Sequence, residues 1–168
     1  MLTRIETLFV AANRWLLITL MAVMAALVIA NVLSRYLLSH SFPWVEEATR
    51  YMMIWAAFLG AGPALRVGGH IAVDSLVQAL PPRGARALRV LLVLVMAGTL
   101  AVLAWLGADY ALFAWEQESP VLGWSLGKVY LAIPLGAALM LAHLLLIARR
   151  WTAGGEWERV EGFDPQAL

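Results

Sequence analysis

Charged side chains in this chain are gathered into short clusters, and between them run four stretches that carry none. Trp15–Ser34 and Val129–Ala148 hold 20 such residues each, Val90–Ala108 holds 19 and Tyr51–Leu65 holds 15. A helix rises 1.5 Å per residue, so about 20 apolar residues cross the ~30 Å hydrocarbon core of a bilayer. A helix bonds its own amides where no water can, which makes it the element each stretch predicts. The 15-residue stretch covers only about 22 Å. It must extend back over Trp44–Arg50, which brings Glu46, Glu47 and Arg50 into the membrane interface. The pattern thus predicts an all-α integral membrane protein with four transmembrane helices, at about 15–34, 44–65, 90–108 and 129–148.

The connections carry their own pattern. In His70–Leu80, Ile71, Val73, Leu76, Val77 and Leu80 alternate with Asp74, Ser75 and Gln78, ahead of Pro81-Pro82 and the run Arg83, Arg86, Arg89. A short amphipathic helix lying in the cytoplasmic interface fits this piece, with its arginines near anionic headgroups. A loop packed beneath the bundle fits it too. Arg4, Arg14, Arg66, Arg83, Arg86, Arg89, Arg149, Arg150 and Arg159 fall on one side of a four-span layout, against Arg35, Arg50 and Lys128 on the other. Basic residues accumulate in the cytoplasm, so both termini are expected there. The first stretch is longer than a signal-peptide core and lacks a small-x-small cleavage site, so a retained anchor helix is expected.

Composition sharpens the class. Hydrophobic residues make up 62% of the 168 and charged ones 14%, with a mean hydropathy of +0.79. Four spans leave room for a single membrane domain, residues 1–168, with a cytoplasmic tail at 149–168. The absence of cysteine excludes disulfides, thiolate catalysis and Cys-ligated metals. A net charge of +1 gives no reason to expect nucleic acid as a partner.

Candidate chemistry is sparse. Ionisable residues at membrane depth usually mark ion or substrate paths. The span interiors offer only Thr19, Asn31, Thr99 and His143, and all the carboxylates lie at span ends or in loops. No catalytic, cofactor-binding or metal-ligating set is expected, and the chain reads as a non-enzymatic subunit without cofactors. Asn31 is expected in a helix–helix hydrogen bond and His143 as a satisfied side chain. Pro63, and Pro134 with Gly136, are expected to loosen the second and fourth spans.

What stands out instead is a set of candidate interface residues. Trp44, Glu46, Glu47 and Arg50 open the second span, with Glu46 and Arg50 spaced for an i,i+4 ion pair. A capped, solvated helix start and a partner contact both account for them. Ala57, Gly60, Ala61 and Ala64 form a small-residue face on the same span, as do Ala97, Ala101, Ala104 and Ala108 on the third. Such faces let helices approach closely, within a chain or between chains.

Several of these residues fall into longer strings. Asn31-Val-Leu-Ser-Arg-Tyr36, Trp44-Val-Glu-Glu-Ala-Thr-Arg-Tyr51, Trp55 with Phe58-Leu-Gly60, Ala64-Leu-Arg66, Gly69-His-Ile71, Val73-Asp74 and Leu80-Pro81 occur in order. Gln117-Glu-Ser-Pro120 and Val129-Tyr-Leu-Ala-Ile-Pro-Leu-Gly136 follow. Together they resemble the small permease subunit, DctQ-like, of tripartite ATP-independent periplasmic (TRAP) transporters. The resemblance covers roughly 31–136, and Gly62-Pro63 is the feature expected to alter local geometry. It implies sodium-driven uptake of an organic acid across a bacterial inner membrane. It also implies a large permease subunit, which carries the substrate and sodium sites, and a periplasmic solute-binding protein that delivers the substrate. This subunit would be a scaffold for the large one, in contact with membrane lipid. A membrane anchor or organising subunit of another inner-membrane complex remains the alternative that the residues alone leave open.

Overall fold

The computed structural model describes residues 2–66 and 79–153. These form helices α1 (Leu2–Leu37), α2 (Pro43–Arg66), α3 (Pro82–Phe113), α4 (Leu126–Tyr130) and α5 (Ala132–Thr152). The helices outrun the charge-free stretches because the flanking polar residues still form backbone bonds beyond the apolar core. The expected amphipathic helix at 70–80 lies outside the described residues except for its last two, which form a turn before Pro81. The tail beyond 153 lies outside them as well.

Three described helices are long and apolar enough to cross a membrane, at Thr7–Leu37, Pro82–Phe113 and Leu126–Arg149. The second predicted span is not among these three. Its 24 residues reach about 36 Å, but Glu46, Glu47, Arg50 and Arg66 and the Gly/Pro-rich final turns lower its hydropathy. Pro63 does not end α2, which runs on to Arg66.

Pro134 leaves a clearer mark. Its ring conflicts with the carbonyl of Tyr130, four residues earlier, and it has no N–H to give that carbonyl. The last helix is accordingly divided at Leu131, between α4 and α5. The break is slight, because Leu131 stays right-handed and its carbonyl accepts Leu135 N–H at 3.1 Å.

α5 packs between α2 and α3, parallel to α2, where Gly136 meets Phe58 and His143 meets Gly62, and antiparallel to α3. α1 lies antiparallel along α2. The most apolar part of 126–149 is 39% buried, against 6% for that of α1. Gly136 lets α5 reach α2: a Cβ there would lie 2.5 Å from Phe58 Cβ and 2.9 Å from its carbonyl oxygen. Gly107 does the same for α3 against Ile133 and Pro134. Leu65, Leu100 and Leu144, from α2, α3 and α5, form the buried apolar core near the end that carries the described chain termini.

α1 turns a narrow seam inward. From Asn13 to Ser34 its non-exposed positions are Asn13, Leu17, Leu20, Met24, Leu27, Asn31 and Ser34, at alternating steps of four and three. That 3.5-residue period is the seam of a left-handed helix pair. The other positions between 13 and 34 are bare, including Trp15, Ile29 and Leu33. α1 closes at Ser39, which is left-handed at φ 52°, with His40 N–H reaching back to the Ser34 carbonyl.

Candidate functional site

The start of α2 meets the connection 114–125 at the end of the bundle away from the termini. Pro120 precedes a turn at Gly123, whose φ of +64° suits a residue without a Cβ. The turn is closed by Ser119 N–H to Trp124 O at 2.8 Å and by Trp124 N–H to Ser119 Oγ at 3.0 Å. It turns two successive amides toward α2, and Glu47 Oε2 accepts both, from Val121 at 3.0 Å and from Leu122 at 2.8 Å. Glu47 Oε1 accepts the Tyr51 hydroxyl at 2.5 Å. Consecutive amides of this kind form a natural anion cradle. Glu47 is buried at 5% exposure and ties the start of α2 to the 114–125 connection.

Beside this clamp, α1 and α2 together form an open groove of about 560 Å³. Met24, Ala25, Val28, Ile29 and Met53 make its apolar walls, and Glu46, Thr49 and Arg50 stand at its polar mouth. The expected Glu46–Arg50 pair does not form. Glu46 instead accepts from Arg35 of α1 at 2.6 Å, because α1 ends close alongside and brings a guanidinium within reach. Arg50 is exposed and has no ion pair among the described residues. Of the four polar or aromatic candidates, Trp44, Glu46 and Arg50 are exposed, while Glu47 is spent inside the chain.

The small-residue candidates divide as well. Gly60 faces α1 at ordinary contact distance, since a Cβ there would lie 3.8 Å from Leu17 Cδ2. Ala61 and Ala64 are half-buried, and Ala57 is exposed. The tightest approach on α2 is at Gly62, where a Cβ would lie 2.5 Å from His143 Cδ2. On α3, Ala97, Ala104 and Ala108 turn partly inward and Ala101 outward.

The interior polar residues are structural. His143 is fully buried, with its ring 4.7 Å from that of Phe9 at a 44° tilt and 3.4 Å from Asn13 Nδ2, which also donates to the Leu59 carbonyl at 3.2 Å. Asn31 does not bridge two helices as expected. Its Oδ1 accepts Phe42 N–H at 2.8 Å, because the chain turns back immediately after α1 and presents that free amide. Thr99 bonds its own helix at Val95 O. Sequence reasoning passed over Asn13 because it sits beside Arg14, outside the charge-free run. It also passed over Tyr51 as the partner of Glu47, although their i,i+4 spacing was a usable signal.

Residues 8–154 match the family described as tripartite ATP-independent periplasmic transporters, DctQ component. This chain belongs to that family. It is 31% identical over 134 residues to the ectoine TRAP transporter small permease protein TeaB of Halomonas elongata, covering 79% of this chain and 69% of that protein. It is 32% identical over 133 residues to a putative TRAP transporter small permease protein of Haemophilus influenzae, covering 77% and 81%. A C4-dicarboxylate TRAP transporter small permease protein of Rhodobacter capsulatus is 32% identical over 117 residues, covering 67% and 51%. The chain is therefore a TRAP small permease subunit, and its long apolar helices are those of a multi-pass membrane protein.

Proposed function

We propose that this TRAP small permease is a scaffold for the large permease subunit, in sodium-driven uptake of an organic acid that a periplasmic binding protein delivers. The observation that carries the reading is the α1–α2 groove: an apolar trough open along two helices, with Glu46, Thr49 and Arg50 at its mouth. A helix of the larger subunit, apolar along its length and polar at its end, fits that chemistry. The spent state of Glu47, Asn31 and Asn13 supports a bracing role, since their side chains hold helices and connections together. Relatives named for ectoine and for C4-dicarboxylates are about equally similar to this chain. Substrate choice then belongs to the other components. In this reading α2 crosses the bilayer as a fourth span, braced by α1 and α5, and both termini are cytoplasmic in the inner membrane.

The chain has no cysteine, so single cysteines can be placed at will. Val28→Cys and Met53→Cys in the groove should crosslink to the co-expressed large permease, whereas Leu94→Cys on α3 should not. Sodium-dependent uptake by the reconstituted complex should keep its stoichiometry when Asn31 or His143 is made apolar. Crosslinks from Leu94→Cys alone would overturn the groove assignment, and an altered sodium stoichiometry would overturn the scaffold role.

A further inference from the structure

The three arginines of α3's first turns have separate positions. Arg89 turns inward: its Nη1 donates to the Trp151 carbonyl at 3.4 Å, and its guanidinium lies 5.9 Å from the centre of the Trp151 ring. Cations favour both an aromatic face and the carbonyl end of a helix, so Arg89 joins α3 to the last turns of α5. Arg83 and Arg86 turn outward and are exposed, and neither has an ion pair or hydrogen bond among the described residues. Below them a groove of about 470 Å³ runs down the helix, lined by Ala87, Val90, Leu91 and Leu94.

The spacing makes these six residues one stripe. Arg83, Arg86, Ala87, Val90, Leu91 and Leu94 follow one another at helical steps of one, three or four, which keeps them on a single face. From Arg83 to Leu94 the helix rises about 16 Å, close to half of the ~30 Å hydrocarbon core. The stripe thus has two free guanidiniums at the level of a headgroup and, from Ala87 to Leu94, an apolar trough of about 10 Å that leads into the hydrocarbon of one leaflet. Guanidinium binds phosphate oxygens in a fork geometry that ammonium cannot match. We propose that this stripe is a binding site for one anionic phospholipid of the surrounding bilayer. The headgroup phosphate bridges Arg83 and Arg86, and an acyl chain lies against Val90, Leu91 and Leu94. The assignment rests on the membrane location of the family and is independent of the scaffold reading.

The test uses the full chain in phosphatidylcholine bilayers holding a trace of spin-labelled lipid. Spin-labelled phosphatidylglycerol should show a larger motionally restricted fraction than spin-labelled phosphatidylcholine. Arg83→Gln and Arg86→Gln should each lower the relative association of phosphatidylglycerol about fivefold. Arg14→Gln, an exposed arginine on α1, should leave it unchanged. A second measurement needs no arginine variant: a fluorophore on Leu94→Cys should be quenched more by brominated phosphatidylglycerol than by brominated phosphatidylcholine. Equal restriction of the two lipids, selectivity that survives the double variant, or an equal loss in Arg14→Gln would overturn the site. Displacement of the lipid by inorganic phosphate at constant ionic strength would reassign the arginines to a free anion and likewise overturn it.

Discussion

Adding one methyl group at Gly136 tests one of the closest approaches in the bundle. A Cβ there would stand 2.5 Å from Phe58 Cβ, 2.9 Å from its carbonyl oxygen and 3.0 Å from its carbonyl carbon. Two of these atoms are backbone, so no rotamer change relieves the clash. To reach even 3.4 Å, α5 and α2 must part by about 0.9 Å. A gap of that size forfeits roughly a quarter to a half of the dispersion energy of the contacts it opens. Overpacking of this kind costs about 1–3 kcal/mol. Alanine also has a better helix propensity than glycine, by about 0.5–1 kcal/mol, and this offsets part of the loss. Gly98→Ala isolates that second effect, because no atom lies within 4 Å of a Cβ at Gly98. Reversible unfolding of the purified chain in mixed micelles, followed by circular dichroism against the detergent mole fraction, should give the two variants opposite signs. Gly98→Ala should be neutral or stabilising, and Gly136→Ala less stable than it by about 1–3 kcal/mol. Equal shifts would refute the argument that α5 touches α2 at backbone distance.

Further outcomes follow from the same geometry. Glu47→Gln leaves one neutral acceptor for three donors, so the Val121 and Leu122 amides should exchange hydrogen faster while amides of α5 do not; unchanged exchange would mean that the clamp does not hold the turn. A double-mutant cycle on Arg35 and Glu46, whose side chains are 51% and 57% exposed, should give a coupling of only about 0–1 kcal/mol, and a larger value would point to a pair shielded by lipid. Reporter fusions at Trp151 and Ser119 should report cytoplasm and periplasm respectively, and matching signals would refute the four-span topology.

Much of the helical layout was legible in the charge-free stretches, because membrane segments must satisfy their backbone internally and so leave few alternatives. The inside of each helix was less legible. α1 is apolar on nearly every face, so hydropathy gives no contrast between the seam at Leu17, Leu20, Met24 and Leu27 and the bare side at Ile29 and Leu33. The small-residue repeat on α2 does not coincide with the tightest contacts inside the chain. Gly60 and Ala57 sit on a regular repeat, whereas the tight contacts are at Gly62, Gly107, Gly127 and Gly136, each fixed by what lies opposite on another helix. At the clamp, the i,i+4 rule suggested Arg50 for Glu46. The partner that forms, Arg35, is brought near by the return of the chain after α1, which no local pattern encodes.

The weak apolar contrast of α1 has a consequence for how it is held. In lipid a helix gains little from burying apolar surface against another helix, since the tails it leaves are equally apolar. The attachment of α1 to α2 must then depend on close packing along one seam and on a few polar bonds. Those bonds stand at both ends of the seam: Asn13 to the Leu59 carbonyl at one, Asn31 to Phe42 N–H and Arg35 to Glu46 at the other. Between them the seam continues through Met24 and Leu27, and beside it exposed Val28, Ile29 and Met53 line the open groove. A helix pair pinned at both ends of its seam keeps an apolar trough of constant shape on its surface without filling it. That is the property a bracing subunit needs if a second polypeptide is to seat in the trough without first displacing any of the chain's own contacts.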